Sequence, residues 1–198
     1  MTTTVFLVRH ATYDRLGKVL AGRTPGVNLS DKGHAEAACL AERLKDENLA
    51  AVYTSPLERA RQTAEPIAEA TGAELRVDEG IQELGFGDWE GAEIDQLEDD
   101  PRWKLWNRDR THVRAPGGET IWEAQHRAVR WLEGVAREHP GEAIAAVSHA
   151  DIIKALIAHG LGLPLDLTYR FEVSPASLSV IVAGDWGLKV HSINEVCR

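Results

Sequence analysis

Short apolar runs alternate with longer amphipathic segments along the whole chain. The apolar runs have the length and composition of strands buried in a sheet, and they occupy residues 5–8, 51–54, 143–148 and 177–183. The amphipathic segments carry apolar residues at helical spacing, and they occupy residues 30–45, 55–72, 120–138 and 150–160. This alternation predicts an α/β domain with a mostly parallel sheet.

Local signals set the expected ends of several elements. Ser30 is a good N-cap for the first helix, and Ser55 followed by Pro56 predicts the cap and first turn of the second. Gly160 is expected to close the helix over 150–160. Extended pieces are also expected at 75–77 and 81–84, and as a terminal strand pair, 177–183 with 188–194, around "GDWG".

Between residues 85 and 119 the periodic pattern gives way to turns and short helical pieces. The stretch contains Trp89, Trp103 and Trp106. We expect a small cap-like excursion anchored by buried aromatic rings, with lining of a substrate entrance as the alternative role for these rings. The chain of 198 residues has no internal repeat and no low-complexity linker, so a single domain over 1–198 is expected.

The charge balance narrows the possible partners. The chain has 22 Lys and Arg against 31 Asp and Glu, which gives a net charge of −9. A broad basic surface for nucleic acid or for a membrane is therefore not expected. The first apolar run is too short for a signal peptide or a membrane span, and Cys39 and Cys197 fit no metal spacing and predict no disulfide framework. These features predict a cytoplasmic protein.

Two histidines stand at the ends of buried strands. The run "VFLV" ends in Arg9 and His10, and "AIAAVS" ends in His149. Ligands of parallel sheets bind at the carboxyl ends of the strands, so the two histidines would share a crevice if their strands are neighbours. Arg59, at the start of the helix after strand 51–54, would join them. Guanidinium forks beside helix N-termini favour a phosphoryl group.

Several motifs in this order resemble those of the histidine phosphatase superfamily, which includes the cofactor-dependent phosphoglycerate mutases. They are "LVRHAT" (7–12), "GRTPGVNLSDKG" (22–33), "YTSPLERARQTA" (53–64), "ELGFGDWEG" (83–91), "PGGET" (116–120) and "VSHADII" (147–153). The resemblance implies a phosphoglycerate mutase-like three-layer α/β/α sandwich. It also implies an enzyme that works through phosphohistidine.

By motif position, the resemblance gives each candidate residue a role. His10 is the expected nucleophile, and Glu83 the proton donor to the leaving group. Arg9, Arg59 and a protonated His149 are the expected phosphate-binding groups. Two further candidates for substrate binding stand at the start of the 22–33 motif, namely Gly22 and Arg23. A salt bridge within the loop is the alternative role for Arg23.

Among the possible activities, we favour a phosphomonoester hydrolase that acts on a small phosphorylated metabolite without a metal or cofactor. The excursion is modest, and no tail is apparent after "HSINEVCR" to close over the site and exclude water, as a mutase requires. A cofactor-dependent phosphoglycerate mutase is the first alternative, and a weakly active phosphate-binding protein is the second. A metal hydrolase using His10, Asp14 and His149 fits no known metal-site pattern. A homodimer through the edge of the terminal strand pair is also possible.

Overall fold

A six-stranded sheet forms the middle layer of the computed structural model, which describes residues 1–196. The strands are β1 (Thr3–Arg9), β2 (Leu49–Thr54), β3 (Glu74–Val77), β4 (Ala143–Ser148), β5 (Ser177–Gly184) and β6 (Gly187–Val196). Their order across the sheet is β3-β2-β4-β1-β5-β6. Strands β1 to β4 are parallel to one another, whereas β5 runs antiparallel to β1 and to β6. The prediction of a mostly parallel sheet is confirmed.

Helices cover both faces of this sheet. They are α1 (Asp31–Leu44), α2 (Glu58–Thr71), α3 (Ile94–Leu97), α4 (Pro101–Arg108), α5 (Ile121–Glu138) and α6 (Ala150–Leu161). One apolar cluster joins α1 and α2 to one face, and a second joins α5 and α6 to the other. Strand residues alternate between the clusters, as Leu7 and Val8 do, because successive side chains of a strand point to opposite faces. The predicted α/β/α sandwich is confirmed.

Two helix starts follow their sequence signals. The Ser30 hydroxyl accepts a hydrogen bond from the backbone N–H of Gly33 at 3.2 Å, which caps α1 as predicted. Thr120 and Glu123 form a capping box at the start of α5, in which each side chain accepts a bond from the other residue's backbone N–H. These caps fix the entry of the chain into the longest helix beside the sheet.

Three local predictions were wrong. Helix α2 begins at Glu58 rather than at Pro56, because the hydroxyl of Ser55 lies 2.8 Å from the ring of His149 and no side chain caps the helix. Helix α6 continues to Leu161, and the residue that caps it is Gly162, which takes a left-handed φ of 62°. Gly160 lies inside α6, where an added Cβ would meet the Leu188 side chain at 2.9 Å.

The third error concerns the extended piece expected over residues 81–84. The chain there forms a 3₁₀ turn over Glu79–Ile81 and then irregular backbone. The alternation of apolar and polar residues in "IQEL" resembles a strand, but its backbone groups bond to side chains from elsewhere in the fold. The extended piece at 75–77 lies in β3, and the terminal pair forms β5 and β6.

The excursion over residues 85–119 contains a 3₁₀ turn, Gly87–Trp89, and the short helices α3 and α4. Trp103 stacks on Trp106 with ring centroids 5.1 Å apart, and Trp89 meets Trp103 edge-on at 5.3 Å. Trp89 and Trp106 are buried in the same apolar cluster as α5 and α6. The rings therefore anchor the excursion to the main core. That residues 1–198 form a single domain stays a prediction.

The cysteine prediction was also wrong. Cys39, on α1, is disulfide-bonded, and Cys197 lies outside the described residues.

Cytoplasmic location stays a prediction. None of the described helices is long and apolar enough to cross a membrane. Strand β6 forms one outer edge of the sheet, and pairing of that edge in a homodimer also stays a prediction.

Candidate active site

The carboxyl ends of β1 and β4 bring two histidines together. These strands are parallel neighbours, with Arg9 in register with Ser148. The backbone N–H of His10 donates to the carbonyl of Ser148 at 2.9 Å. As a result, the rings of His10 and His149 lie with their centroids 5.1 Å apart. The adjacency on which the sequence argument depended is present.

His10 is buried and held in one tautomer. Its Nδ1 lies 2.9 Å from the carbonyl oxygen of Ala11, so Nδ1 carries the proton and donates it to that bond. Burial, with the nearby charges of Arg59 and Arg9, holds the pKa of His10 well below its usual value of 6.5. The ring is therefore neutral near pH 7, and Nε2 keeps its lone pair.

Arg59 supplies an unsatisfied guanidinium next to this ring. The side chain, 1% exposed, reaches from the first turn of α2 and donates through Nη2 to the Gly22 carbonyl at 2.7 Å. Within residues 1–196, its Nε and Nη1 are buried and lack any hydrogen-bond partner. Arg9 donates to the Val173 carbonyl at 2.7 Å, and its Nε is likewise unpaired within that range. Unpaired N–H groups of buried cations make a site for an anion.

The surroundings of His149 favour its neutral form rather than the protonated form expected from the sequence. Its Nδ1 lies 3.2 Å from Nη2 of Arg59. A guanidinium only donates, so Nδ1 accepts and the ring proton sits on Nε2, which donates to Ser55 at 2.8 Å. Burial, with the charge of Arg59, holds the pKa of His149 well below 6.5.

Glu83 places a carboxyl group beside this histidine. The side chain is 8% exposed, and its Oε2 lies 3.9 Å from Nδ1 of His149. Its Oε1 accepts a hydrogen bond from the backbone N–H of Leu84 at 2.9 Å. Burial, reinforced by the negative charge of Asp151, raises the pKa of Glu83 to about 7. Glu83 therefore holds its proton at a higher pH than an ordinary glutamic acid does.

Gly22 and Arg23 lie at the wall of the site. Gly22 has a φ of 48°, and its carbonyl holds Arg59 as described. Arg23 donates through Nη2 to Oε2 of Glu119 at 2.7 Å and through Nε to the carbonyl of Glu83 at 2.8 Å. Its guanidinium is thus bound within the protein, but its acidic partner lies at the end of the excursion rather than in the same loop. A role of Gly22 and Arg23 in substrate binding stays a prediction.

Sequence reasoning missed three residues that shape the site. The Ser55 hydroxyl accepts a hydrogen bond from Nε2 of His149, as described above. Thr63 accepts from the backbone N–H of Ala11 at 3.0 Å and donates to the carbonyl of Arg59 at 2.7 Å. The ring of Tyr13 faces the guanidinium of Arg59, whose Cζ lies 5.7 Å from the ring centroid. Ser55 and Thr63 stand inside the motif over 53–64, and this position is the signal by which their hydroxyls could have been found.

A metal centre is not apparent at this site. Across residues 1–196, no three side chains among His, Cys, Asp and Glu are grouped so that they could hold a metal ion. His10 and His149 instead bond to a carbonyl, a hydroxyl and a guanidinium. The activity without a metal stays a prediction.

Comparison with known proteins gives a consistent result. The family model of the histidine phosphatase superfamily, branch 1, matches residues 5–196. Phosphoserine phosphatase 1 of Hydrogenobacter thermophilus is 32% identical over 198 residues, covering 98% of this chain and 93% of that protein. The probable phosphoglycerate mutase GpmB of Photorhabdus laumondii is 32% identical over 178 residues, covering 88% and 82%.

Solved structures with a similar fold include a phosphatase. The crystal structure of a mutant phosphoserine phosphatase from Entamoeba histolytica, in complex with phosphoserine, has a TM-score of 0.87 and 26% identity, covering 98% of this chain and 97% of that chain. Some relatives are longer than this chain. The match to three mycobacterial proteins, at 33% identity, spans 44% of their length.

Proposed function

The chain belongs to branch 1 of the histidine phosphatase superfamily, and from that premise we propose that it hydrolyses phosphomonoesters of small metabolites through a phosphohistidine on His10. The observation that carries the proposal is a neutral histidine with a free Nε2 beside the unpaired N–H groups of Arg9 and Arg59, taken over residues 1–196. This combination offers a nucleophile and an anion site side by side at the carboxyl ends of the strands.

In the first step, Nε2 of His10 attacks the phosphorus atom and the bond to the ester oxygen breaks. The phosphoryl oxygens carry negative charge throughout, so fixed positive groups stabilise the transition state. Arg59 offers Nε and Nη1 for this purpose, and Arg9 offers Nε. Because these side chains are already held by the carbonyls of Gly22 and Val173, little reorganisation is needed when the phosphoryl group binds.

Glu83 is the proposed general acid and base. With a pKa raised to about 7, it donates its proton to the leaving oxygen, so that the product departs as a neutral alcohol. The resulting carboxylate then takes a proton from a water molecule, which attacks the phosphorus atom and breaks the N–P bond. Inorganic phosphate leaves, and His10 and Glu83 return to their starting states. General acid–base groups of this kind contribute roughly 10²–10⁴-fold to the rate.

His149 acts through its neighbour rather than as a cation. It accepts a hydrogen bond from Nη2 of Arg59 and donates to Ser55. These two hydrogen bonds fix the Arg59 guanidinium so that its other nitrogens are directed toward the phosphoryl group. We propose that His149 is a positioning residue for Arg59.

The proposed substrate is a small phosphorylated metabolite with an alkyl leaving group. Among the relatives, one is named for phosphoserine and one structure was solved with phosphoserine bound. A phosphorylated hydroxy or amino acid is therefore the first class to test. A mutase is the second candidate, favoured by the 32% identity to the probable phosphoglycerate mutase GpmB.

The test is release of inorganic phosphate from a panel of esters that includes phosphoserine and 3-phosphoglycerate, in the presence of a chelator. Wild type is compared with His10→Ala, and His191→Ala is the control because His191 is exposed. Release that only His10→Ala abolishes supports the proposal. Isomerised product without release, dependent on a bisphosphoglycerate primer, would establish the mutase instead. Phosphate binding without either reaction would identify a binding protein.

A further inference from the structure

The backbone carbonyls of residues 79–83 converge on one side chain of α5. Nη1 of Arg127 lies 3.1 Å from the carbonyl oxygen of Glu79, 3.0 Å from that of Gly80 and 2.9 Å from that of Gln82. Nη2 lies 3.4 Å from the carbonyl oxygen of Glu83. The fifth carbonyl of the segment, that of Ile81, accepts from the Ser148 hydroxyl at 2.7 Å. A single guanidinium therefore gathers four of the five carbonyls.

The hydrogen bonds from Arg127 are important because most of this segment lacks the backbone hydrogen bonds of a strand or a helix. Residues 82–86 belong to neither a strand nor a helix, so no ladder of backbone hydrogen bonds fixes the direction of the Glu83 side chain. The preceding 3₁₀ turn leaves its last carbonyls without intrahelical partners. A cation at that end also complements the negative end of the turn. Arg127 supplies both the missing donors and the charge.

A second set of contacts joins Arg127 to the loop that contains Arg23 and to Glu119 at the end of the excursion. Oε2 of Glu119 accepts from Nη2 of Arg127 at 3.1 Å and from Nη2 of Arg23 at 2.7 Å. The same oxygen accepts from the backbone N–H of Gly85 at 3.1 Å. Nε of Arg23 donates to the Glu83 carbonyl at 2.8 Å. The backbone is thus held at residue 83 and again two residues later.

We infer that Arg127 is a positioning residue for the acid step. By fixing the backbone of residues 79–83, it directs the carboxyl group of Glu83 toward the leaving oxygen. Arg127 contacts carbonyls and Glu119, so it acts through Glu83 and is not itself a catalytic group. This inference rests on the proposed function, in which Glu83 protonates the leaving group.

The leaving group distinguishes this role from a merely structural one. An alkyl phosphate such as phosphoserine needs a proton on its departing oxygen, whereas 4-nitrophenyl phosphate has a leaving group that hardly does. Misplacement of a catalytic group by about 1 Å costs on the order of 10²-fold in rate. For Arg127→Met we expect kcat/KM with phosphoserine to fall roughly 10–100-fold. We expect kcat/KM with the nitrophenyl ester to change by less than about threefold, because its leaving group hardly needs a proton and Arg9 and Arg59 are untouched. The quantity kcat/KM covers only the steps up to loss of the leaving group, so the later hydrolysis of phosphohistidine, in which Glu83 acts as a base for both esters, does not enter the comparison.

The measured quantity is the ratio of the two kcat/KM values within one preparation. This ratio does not depend on the fraction of folded enzyme, so a loss of stability alone leaves it unchanged. Arg130→Met is the matched control, because Arg130 is an exposed residue on the same helix and the charge change is identical. Arg127→Lys keeps the charge but cannot reach four carbonyls, so it should show a smaller change of the ratio in the same direction. It also decides the matter if Arg127→Met does not fold.

A double variant tests whether Arg127 acts through Glu83. If it does, Glu83→Gln/Arg127→Met should hydrolyse phosphoserine no more than about threefold more slowly than Glu83→Gln alone, because the group being positioned is already gone. An unchanged ratio in both Arg127→Met and Arg127→Lys overturns the inference, as does an additive double variant. A wild type that releases phosphate from neither ester refutes the proposed function itself, and that result is seen before any Arg127 variant is compared.

Discussion

Replacement of Glu83 by glutamine isolates the effect of ionising a carboxyl group that the fold has buried. The side chain is 8% exposed, and burial raises its pKa from the ordinary value of 4.5 to about 7. Glutamine keeps the shape and the oxygen that accepts from the Leu84 N–H, but it never ionises. The difference in stability between the two proteins therefore reports the ionisation of one group.

The sign and magnitude follow from proton linkage. Below pH 4.5 the carboxyl is protonated in both the folded and the unfolded chain. Between pH 4.5 and 7 the unfolded chain ionises while the folded one does not, so the free energy of unfolding falls as the pH rises. Above pH 7 the loss is complete. At about 1.4 kcal/mol for each pH unit, the rise in pKa to about 7 corresponds to a loss of about 3 kcal/mol.

The assay is urea unfolding followed by tryptophan fluorescence, for which the chain offers six tryptophans. Free energies of unfolding are measured from pH 4.5 to 8.5 for wild type and Glu83→Gln. The value for Glu83→Gln minus that for wild type should increase by about 3 kcal/mol across this range. The pKa values of His10 and His149 are lowered by burial in both proteins, so their opposite effect at low pH cancels in the difference.

Glu65→Gln is the matched control, because Glu65 is exposed on α2. Its difference from wild type should stay within about 0.5 kcal/mol at every pH. Parallel curves for wild type and Glu83→Gln would refute the reasoning, since they would mean that folding does not change the ionisation of this carboxyl group.

Four further outcomes are expected. For wild type, kcat/KM with phosphoserine should fall about tenfold per pH unit above about 7, as Glu83 ionises, whereas a flat profile would contradict the acid role. His10→Ala should form no acid-labile phosphoenzyme in a rapid-quench experiment, and labelled phosphate trapped on that variant would place the nucleophile elsewhere. Arg59→Met should raise the inhibition constant of inorganic phosphate roughly 10–100-fold through the loss of charge-assisted hydrogen bonds; an unchanged constant would remove Arg59 from the anion site. Trp106→Ala should lower the free energy of unfolding by about 3–5 kcal/mol, because the ring is fully buried, and a loss below about 1 kcal/mol would show that it does not anchor the excursion.

Much of the fold could be predicted from the sequence because its signals are local. The run "AIAAVS" predicted β4 with the bounds that the structure has, Ala143–Ser148, since a short apolar run between polar residues suits a strand buried on both faces. The position of the candidate site followed in the same way. A residue just after a parallel strand lies at the edge where all such strands end, so the places of His10 and His149 needed only the adjacency of β1 and β4.

Where the sequence misled, a distant residue had taken the place of a local partner. Ser55 looked like a helix cap, but its hydroxyl bonds to His149, which is 94 residues away. The "IQEL" stretch looked like a strand, but its carbonyls accept hydrogen bonds from the side chains of Ser148 and Arg127. No pattern within either segment records these partners.

The sequence by itself determined the main strands and helices and the position of His10 and His149 at strand ends, because hydrophobic period and strand-end position are properties of neighbouring residues. The tertiary structure alone decided the protonation of those side chains. His149 is neutral because it is buried beside Arg59, and Glu83 holds its proton up to about pH 7 because it is buried near Asp151. Desolvation and charge act through space, so they appear only when segments far apart in the chain have packed together.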